Sequence, residues 1–352
     1  MRETADGGYL DRSVRIVQQI LDADPANYDA RRRNIEIEMQ RHHFQRVVAA
    51  TGTLTGERPE DPIVWGLRGD AFMEIGEYEN AADAYQRMTN LRPSLASYNR
   101  VAFYRFVTGD AAGAIVIMRK AIDMGSSTPE NTAWCLAELG HMLFKTGEID
   151  AAARAYNDAL ATFPGYHHAI AGMGRVMAVR GHLEEAAEAF KKAQSIAPLP
   201  EYAGWLAKLY RRIGEQDLAR KQLAMLEVAD VLGKAAGEAA NRNMSLAFSD
   251  LDYKPARALE LAQAELAIRH DVYTYDALAW ALFKNGKYPE AARATEIALA
   301  QNTPEPSFRE HAAKILEAAG RKESARRPLL QSPGVDARLL KSQLTCFRKD
   351  RE

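Results

Sequence analysis

Two pairs of adjacent histidines, His42–His43 and His167–His168, come nearest to metal chemistry in this chain. An imidazole nitrogen is a good zinc ligand, but a tetrahedral site needs three or four donors. Adjacent side chains on a helix diverge by about 100°, so neither pair can chelate without further ligands brought in from elsewhere. Cys135, next to Trp134, reads as a packed thiol, because a nucleophilic thiolate needs a basic partner and the sequence names none. The glycines of GMGR at 172–175 do not follow a strand as a dinucleotide fingerprint would, and Gly174 reads as a packing residue. The sequence contains no GxSxG, GxxxxGK[ST] or HExxH motif. The expectation is therefore a protein that is not an enzyme, with no metal and no cofactor.

Composition narrows the class further. Of 352 residues, 47% are hydrophobic and 26% charged, enough apolar side chains for a large core. Lys plus Arg number 46 and Asp plus Glu 47, so net charge supplies no general attraction to nucleic acid or to an anionic membrane. Two cysteines far apart, Cys135 and Cys346, make neither a CxxC site nor a disulfide framework. No apolar run approaches the roughly 18–20 residues of a membrane span. The first residues, MRETADGGYLDRS, lack the apolar stretch of a secretory signal, so the chain as written reads as cytoplasmic, or as periplasmic or secreted if a leader has been removed.

The elements that would position any functional residue follow from an internal repeat. Glycines that close apolar helical patterns recur at Gly76, Gly109, Gly147, Gly181, Gly214, Gly286 and Gly320. Successive gaps are 33, 38, 34, 33, 72 and 34 residues; the 38 contains the polar insertion GSSTPEN, and the 72 is two periods with a glycine lost near Asp250. Prolines at 25, 59 and 93, and again at 164 and 198, keep a spacing of 34. Alanines repeat it at Ala81, Ala114, Ala152, Ala186, Ala219, Ala256, Ala291 and Ala325. Within the unit Pro62–Pro93, Trp65, Gly69 and Phe72 share one face of a first helix, Gly76 caps it, and Tyr78, Ala81, Tyr85 and Met88 form the face of a second. Small residues at Gly69 and Ala81 let the two helices approach. One such hairpin cannot bury both faces alone, whereas stacked hairpins bury a continuous core.

This pattern resembles the tetratricopeptide repeat, with its W-x2-L-G-x2-Y, Gly, A-x3-F/Y-x2-A and closing Pro. The units Gly165–Pro198 (Ile170, Met173, Gly174, Met177, Gly181, Leu183, Ala186, Phe190, Ala193) and Val272–Ala300 (Tyr275, Leu278, Ala279, Leu282, Gly286, Tyr288, Ala291, Ala298) fit it well. The implied fold is all-α, an α-solenoid of helix–turn–helix repeats wound into a right-handed superhelix. Residues 1–27 read as an N-terminal capping helix or the remnant of an earlier repeat. Residues 28–332 read as about nine repeats starting near 28, 62, 95, 133, 167, 200, 237, 272 and 306. Residues 333–352 read as a capping helix and basic tail. The first repeat has Arg31 and Asn34 at apolar positions, Pro328 breaks the last, and the unit 237–269 lacks its inter-helix glycine after a helix that runs on through LAMLEVADVLGKAAGEAA. That unit is the expected weak joint.

The resemblance also implies a site. In such repeats the first helix lines a concave groove, and positions 2, 5, 9, 12 and 13 face a bound peptide. Those positions give Asn99, Phe103, Phe106, Trp134, His141, Phe144, Lys145, His168, Arg175, Lys208, Arg211 and Arg212. The wall passes from aromatic to basic, suited to a protein segment with an apolar anchor and an acidic stretch. The competing assignment puts Phe103, Phe106 and Phe144 in the core and leaves Lys208, Arg211 and Arg212 as a solvated face. The dicarboxylate clamp of chaperone-binding members is not matched: Gly66, Asp70, Arg100, Trp134 and Glu138 stand at its positions. The function these features imply is a non-catalytic protein–protein interaction scaffold. The alternatives are a receptor for a small molecule or short signalling peptide in the same groove and, less favoured on charge, RNA binding. No membrane insertion is expected.

Overall fold

The computed structural model describes residues 8–235, 241–321 and 324. Among them every regular element is an α-helix, eighteen in all. In order these are α1 (Gly8–Ala23), α2 (Tyr28–Gln40), α3 (Phe44–Glu57), α4 (Pro62–Glu74), α5 (Tyr78–Leu91), α6 (Leu95–Val107), α7 (Ala111–Met124), α8 (Pro129–Lys145) and α9 (Ile149–Thr162). There follow α10 (His167–Arg180), α11 (Leu183–Ile196), α12 (Pro200–Ile213), α13 (Gln216–Ala235), α14 (Arg242–Asp250), α15 (Pro255–Leu266), α16 (Val272–Lys284), α17 (Tyr288–Ala298) and α18 (Pro306–Ala318). From α2 to α17 they pair as helix hairpins, and within each of two compact units successive hairpins pack on one another in the α-solenoid manner. The helices form two compact units, α1–α7 with the segment Ile268–Asp271, and α8–α18.

Local chemistry explains the boundaries. Asp61 caps α4 by accepting from the Ile63 N–H at 2.9 Å, with Pro62 in the first turn where its missing N–H costs nothing. Ser94 and Ser97 form a reciprocal capping box on α6, and Asp110 caps α7 through the Gly113 N–H. All seven inter-helix glycines of the periodic series have positive φ, the backbone region that a Cβ crowds. In the unit of α1–α7, Gly76 is doubly constrained, since a Cβ there would also lie 2.5 Å from the His270 carbonyl oxygen.

The close helix approach expected of the small residues is present. A Cβ on Gly69 would lie 2.3 Å from the Tyr85 ring, and one on Gly174 would lie 2.9 Å from Phe190. Six of the eight periodic alanines, Ala81, Ala114, Ala152, Ala186, Ala219 and Ala291, are buried, at 2% exposure or less. Ala256 is instead exposed, and Ala258 occupies the packed position. The cause is the turn between α14 and α15, which lacks glycine and uses left-handed backbone at Asp252 (φ 49°) and Lys254 (φ 46°).

Two helix starts differ from expectation for similar local reasons. α8 begins at Pro129 rather than 133, because Pro129 supplies a ready first turn inside the polar insertion. α14 begins at Arg242 rather than 237, where Asn241 accepts from the Met244 N–H, while α13 runs on to Ala235. In the first repeat Arg31 forks onto Glu57 at 2.8 and 2.7 Å, which accounts for a cation at that position. The expected C-terminal helix and basic tail at 333–352, Pro328, Ala325 and Cys346 lie outside the described residues.

Candidate functional site

In the unit of α1–α7, three expected groove residues lie on α6. Phe103 is exposed, but Phe106 (3%) and Asn99 (9%) are buried, so both are corrected from partner-contacting to packed positions. Phe106 is three residues beyond Phe103, and that turn of α6 faces the core. The inner polar chemistry of this unit centres on Asp70, whose carboxylate takes the Arg100 guanidinium at 2.8–3.1 Å and the Tyr85 hydroxyl at 2.9 Å.

The unit of α8–α18 carries the other nine candidates. On α8, Trp134, Glu138, His141 and Lys145 recur at helical spacing and share one face, with Phe144 beside them. His168 and Arg175 share a face of α10, and Lys208 and Arg212 one of α12. Trp134, His141, Phe144, Lys145, His168, Arg175 and Lys208 are half-buried, whereas Arg211 and Arg212 are exposed.

His141 and Arg175 meet. The Tyr156 hydroxyl is 2.7 Å and the Arg175 guanidinium 3.3 Å from His141 Nδ1, which makes Nδ1 the acceptor of both. Burial lowers the His141 pKa well below the ordinary value, and Arg175, Lys145 and His168 add to the effect, so the imidazole is neutral near pH 7. The Tyr156 ring is wedged between Gly140 and Gly172, where a Cβ on either would lie 2.4 Å away. Glu138 faces the same cluster; burial raises its pKa, with Lys145 and Arg175 opposing the shift. Arg175 itself forms no ion pair among the described residues. The His168 ring lies tilted against His167, with centroids 4.0 Å apart, and His167 is buried with Nδ1 2.8 Å from the Tyr202 hydroxyl.

Three candidates have intramolecular partners that sequence spacing did not reveal. Lys208 binds the Asp250 carboxylate at 2.5 Å, and Arg211 donates to the Leu251 carbonyl at 2.9 Å. Lys145 binds Glu305, immediately before α18, at 2.6 Å and lies 5.7 Å from the centre of the Tyr273 ring. Burial alone would lower the Lys145 pKa; Glu305 and Tyr273 reverse this and raise it. Asp250 also accepts from the Trp280 indole at 2.8 Å and neighbours His311 at 3.9 Å; His311 in turn pairs with Asp276 at 3.0 Å. Tyr156 was visible in sequence only as the aromatic of A-x3-F/Y, and Asp250, Tyr273, Trp280, Glu305 and His311 carried no signal of a role here.

Tetratricopeptide-repeat profiles match residues 38–96 and 277–332, and a second profile of the same description matches 143–209, together about half of the chain. The chain belongs to the tetratricopeptide repeat family. No curated protein matches it in sequence. Among solved structures it is similar to the APC/C hetero-tetramer Cut9–Hcn1, with 15% identity and a TM-score of 0.52 over 86% of this chain and 52% of that one. It thus spans about half the length of that chain. It also matches PilW, a type IV pilus biogenesis factor (17% identity, TM-score 0.49, 58% of this chain and 93% of that one). A third match is MamA (22%, 0.37, 46% and 86%). At such identities the likeness is one of fold. No helix among the described residues is long and apolar enough to cross a membrane.

Proposed function

We propose that this tetratricopeptide-repeat protein is an interaction scaffold whose inner face on α8, α10 and α12 captures an extended protein segment bearing a carboxylate and an apolar anchor. The observation that carries this reading is Arg175. Among the described residues it is a half-buried guanidinium with no ion pair, 3.3 Å from His141 Nδ1, with Tyr156 and the Glu138 carboxyl in its surroundings. A guanidinium presents a planar fork matched to carboxylate, and partial burial strengthens such a bond relative to one in open water. Phe144 and His168 offer half-buried ring surface on the same two helices, the kind of area on which an apolar anchor gains affinity. Lys208 and Arg211, tied to α14, contribute less than their charge suggests.

Binding of short synthetic peptides, each an aromatic residue followed by a run of Glu, tests the proposal by fluorescence anisotropy at low and high salt. Arg175→Ala is expected to weaken binding by roughly tenfold, as loss of a charge-assisted hydrogen bond does, and salt to weaken the wild type more than the variant. Equal affinity of the two forms would remove Arg175 from the site.

A further inference from the structure

Stacked hairpins bring each helix against its neighbours, so contacts between distant repeats are unusual in a solenoid. Lys145 and Glu305 make one within the unit of α8–α18, at 2.6 Å between residues 160 positions apart in sequence. Lys145 is the last residue of α8 and Glu305 the N-cap of α18, and both helices are first helices of their hairpins, the kind that lines the inner face. A cation at a helix C-terminus and an anion at a helix N-terminus are each favoured by the backbone dipole, so both groups are held at their posts before they meet. The side chains are 30% and 14% exposed, which places the bond at the wall of the groove rather than in the core. Around it the Tyr273 ring lies 5.7 Å from the Lys145 ammonium and 5.5 Å from the Arg242 guanidinium, so Glu305 meets Lys145 in an aromatic-walled niche, where Glu138 also acts on the ammonium.

That niche has the chemistry expected of a receptor for a carboxylate, and a carboxylate of the chain itself occupies it. We propose that the Lys145–Glu305 ion pair is a clasp that holds the inner groove shut, and that an acidic partner segment opens it by replacing Glu305 on Lys145. This inference rests on the groove reading above and adds its regulation: the partner needs two carboxylates, one for Arg175 and one to displace Glu305. A neutral or basic segment lacks the means to open the clasp, so the intramolecular pair also acts as a filter against such segments.

The test uses the full chain with Glu305→Gln and, as an independent way to break the pair, Lys145→Met. Far-UV circular dichroism checks that both remain helical. Hydrogen exchange of the first turns of α18 is expected to rise about fivefold in both variants, the scale of a half-buried ion pair. The probe is a synthetic peptide of one Phe followed by a run of Glu. It is expected to bind Glu305→Gln about fivefold more tightly than wild type, because Lys145 is released, and Lys145→Met no more tightly. Unchanged exchange in both variants, or no gain in peptide affinity in Glu305→Gln, overturns the clasp. Adding Arg175→Ala to Glu305→Gln separates the two readings. If the gain disappears, a groove using both cations is supported; if it persists, the clasp stands and Arg175 drops out. A peptide that binds no form overturns both.

Discussion

The Lys208 ammonium of α12 lies 2.5 Å from the carboxylate of Asp250 at the end of α14, and the same carboxylate accepts from the Trp280 indole of α16 at 2.8 Å. One anion thus ties together three successive first helices. Burial would raise the Asp250 pKa, but Lys208 and His311 outweigh it and hold the group ionised below its ordinary range. Removing Asp250 strands two donors, whereas removing Lys208 strands one side of a pair whose members are 35% and 25% exposed. Asp250→Ala is therefore expected to cost about 2–3 kcal/mol and Lys208→Ala about 1 kcal/mol in urea unfolding. The reverse order would show that the carboxylate is not the node.

Two histidines of the same unit give opposite dependences on pH. The folded pKa of His141 is depressed by burial and by Arg175, Lys145 and His168. Below about pH 6.5 the unfolded chain binds a proton that folded His141 refuses, so stability falls as pH drops. Burial alone would depress His311 as well, but Asp276 and Asp250 reverse the sign and raise its pKa. Its contribution is complete below about pH 6.5 and is lost as pH rises through the folded value. Urea midpoints across this range should show a flatter acid limb in His141→Gln and a flatter neutral-to-alkaline limb in His311→Gln. Parallel curves for the two variants would contradict the assignment.

Helical glycines with different surroundings should respond to alanine with opposite signs. A Cβ at Gly140 or Gly172 would lie 2.4 Å from the ring of Tyr156, which is fully buried, whereas Gly56 on α3 has nothing within 4 Å. Alanine gains roughly 0.5–1 kcal/mol over glycine in a helix, and overpacking a tight site costs about 1–3 kcal/mol. Gly56→Ala should therefore raise the thermal midpoint, and Gly140→Ala and Gly172→Ala should each lower it. A shared sign would mean that helix propensity outweighs packing here.

The repeat was readable from sequence because its determinants are local. A left-handed turn at Gly76 or Gly181 and a small residue such as Ala152 against a neighbouring helix each depend on a few adjacent positions. The overlong α13 was legible for the same reason, as a helical pattern continuing past its usual stop. Assigning the inner face was harder. Phe103 is exposed, yet Phe106, on the next turn of the same helix, is buried, because which side of α6 meets a neighbour is set by packing. The partners of Lys145 and Lys208 are further removed from sequence logic. Glu305 reaches Lys145 across several repeats and Asp250 reaches Lys208 from the next one, and no spacing rule over 160 or 42 positions encodes either.

The joint between α14 and α15 provides a last test, of backbone rather than side chains. Met244, Phe248 and Leu251 are buried, so packing here is sound. The turn itself, however, holds Asp252 and Lys254 at positive φ, where an ordinary residue loses about 1 kcal/mol. Nine residues of α14 also give it fewer internal hydrogen bonds than the fourteen of α10. Hydrogen exchange is therefore expected to be faster in α14 and α15 than in α10 and α16. Lys254→Gly removes the crowded Cβ and forfeits a bond to Glu227 whose partners are 44% and 38% exposed, a pair worth little. It should slow local exchange by about twofold, after the added freedom of glycine in the unfolded chain is subtracted. Protection in α14 equal to that in α10 and α16, with no response to Lys254→Gly, would show that the core around Phe248 carries the joint without cost from its turn.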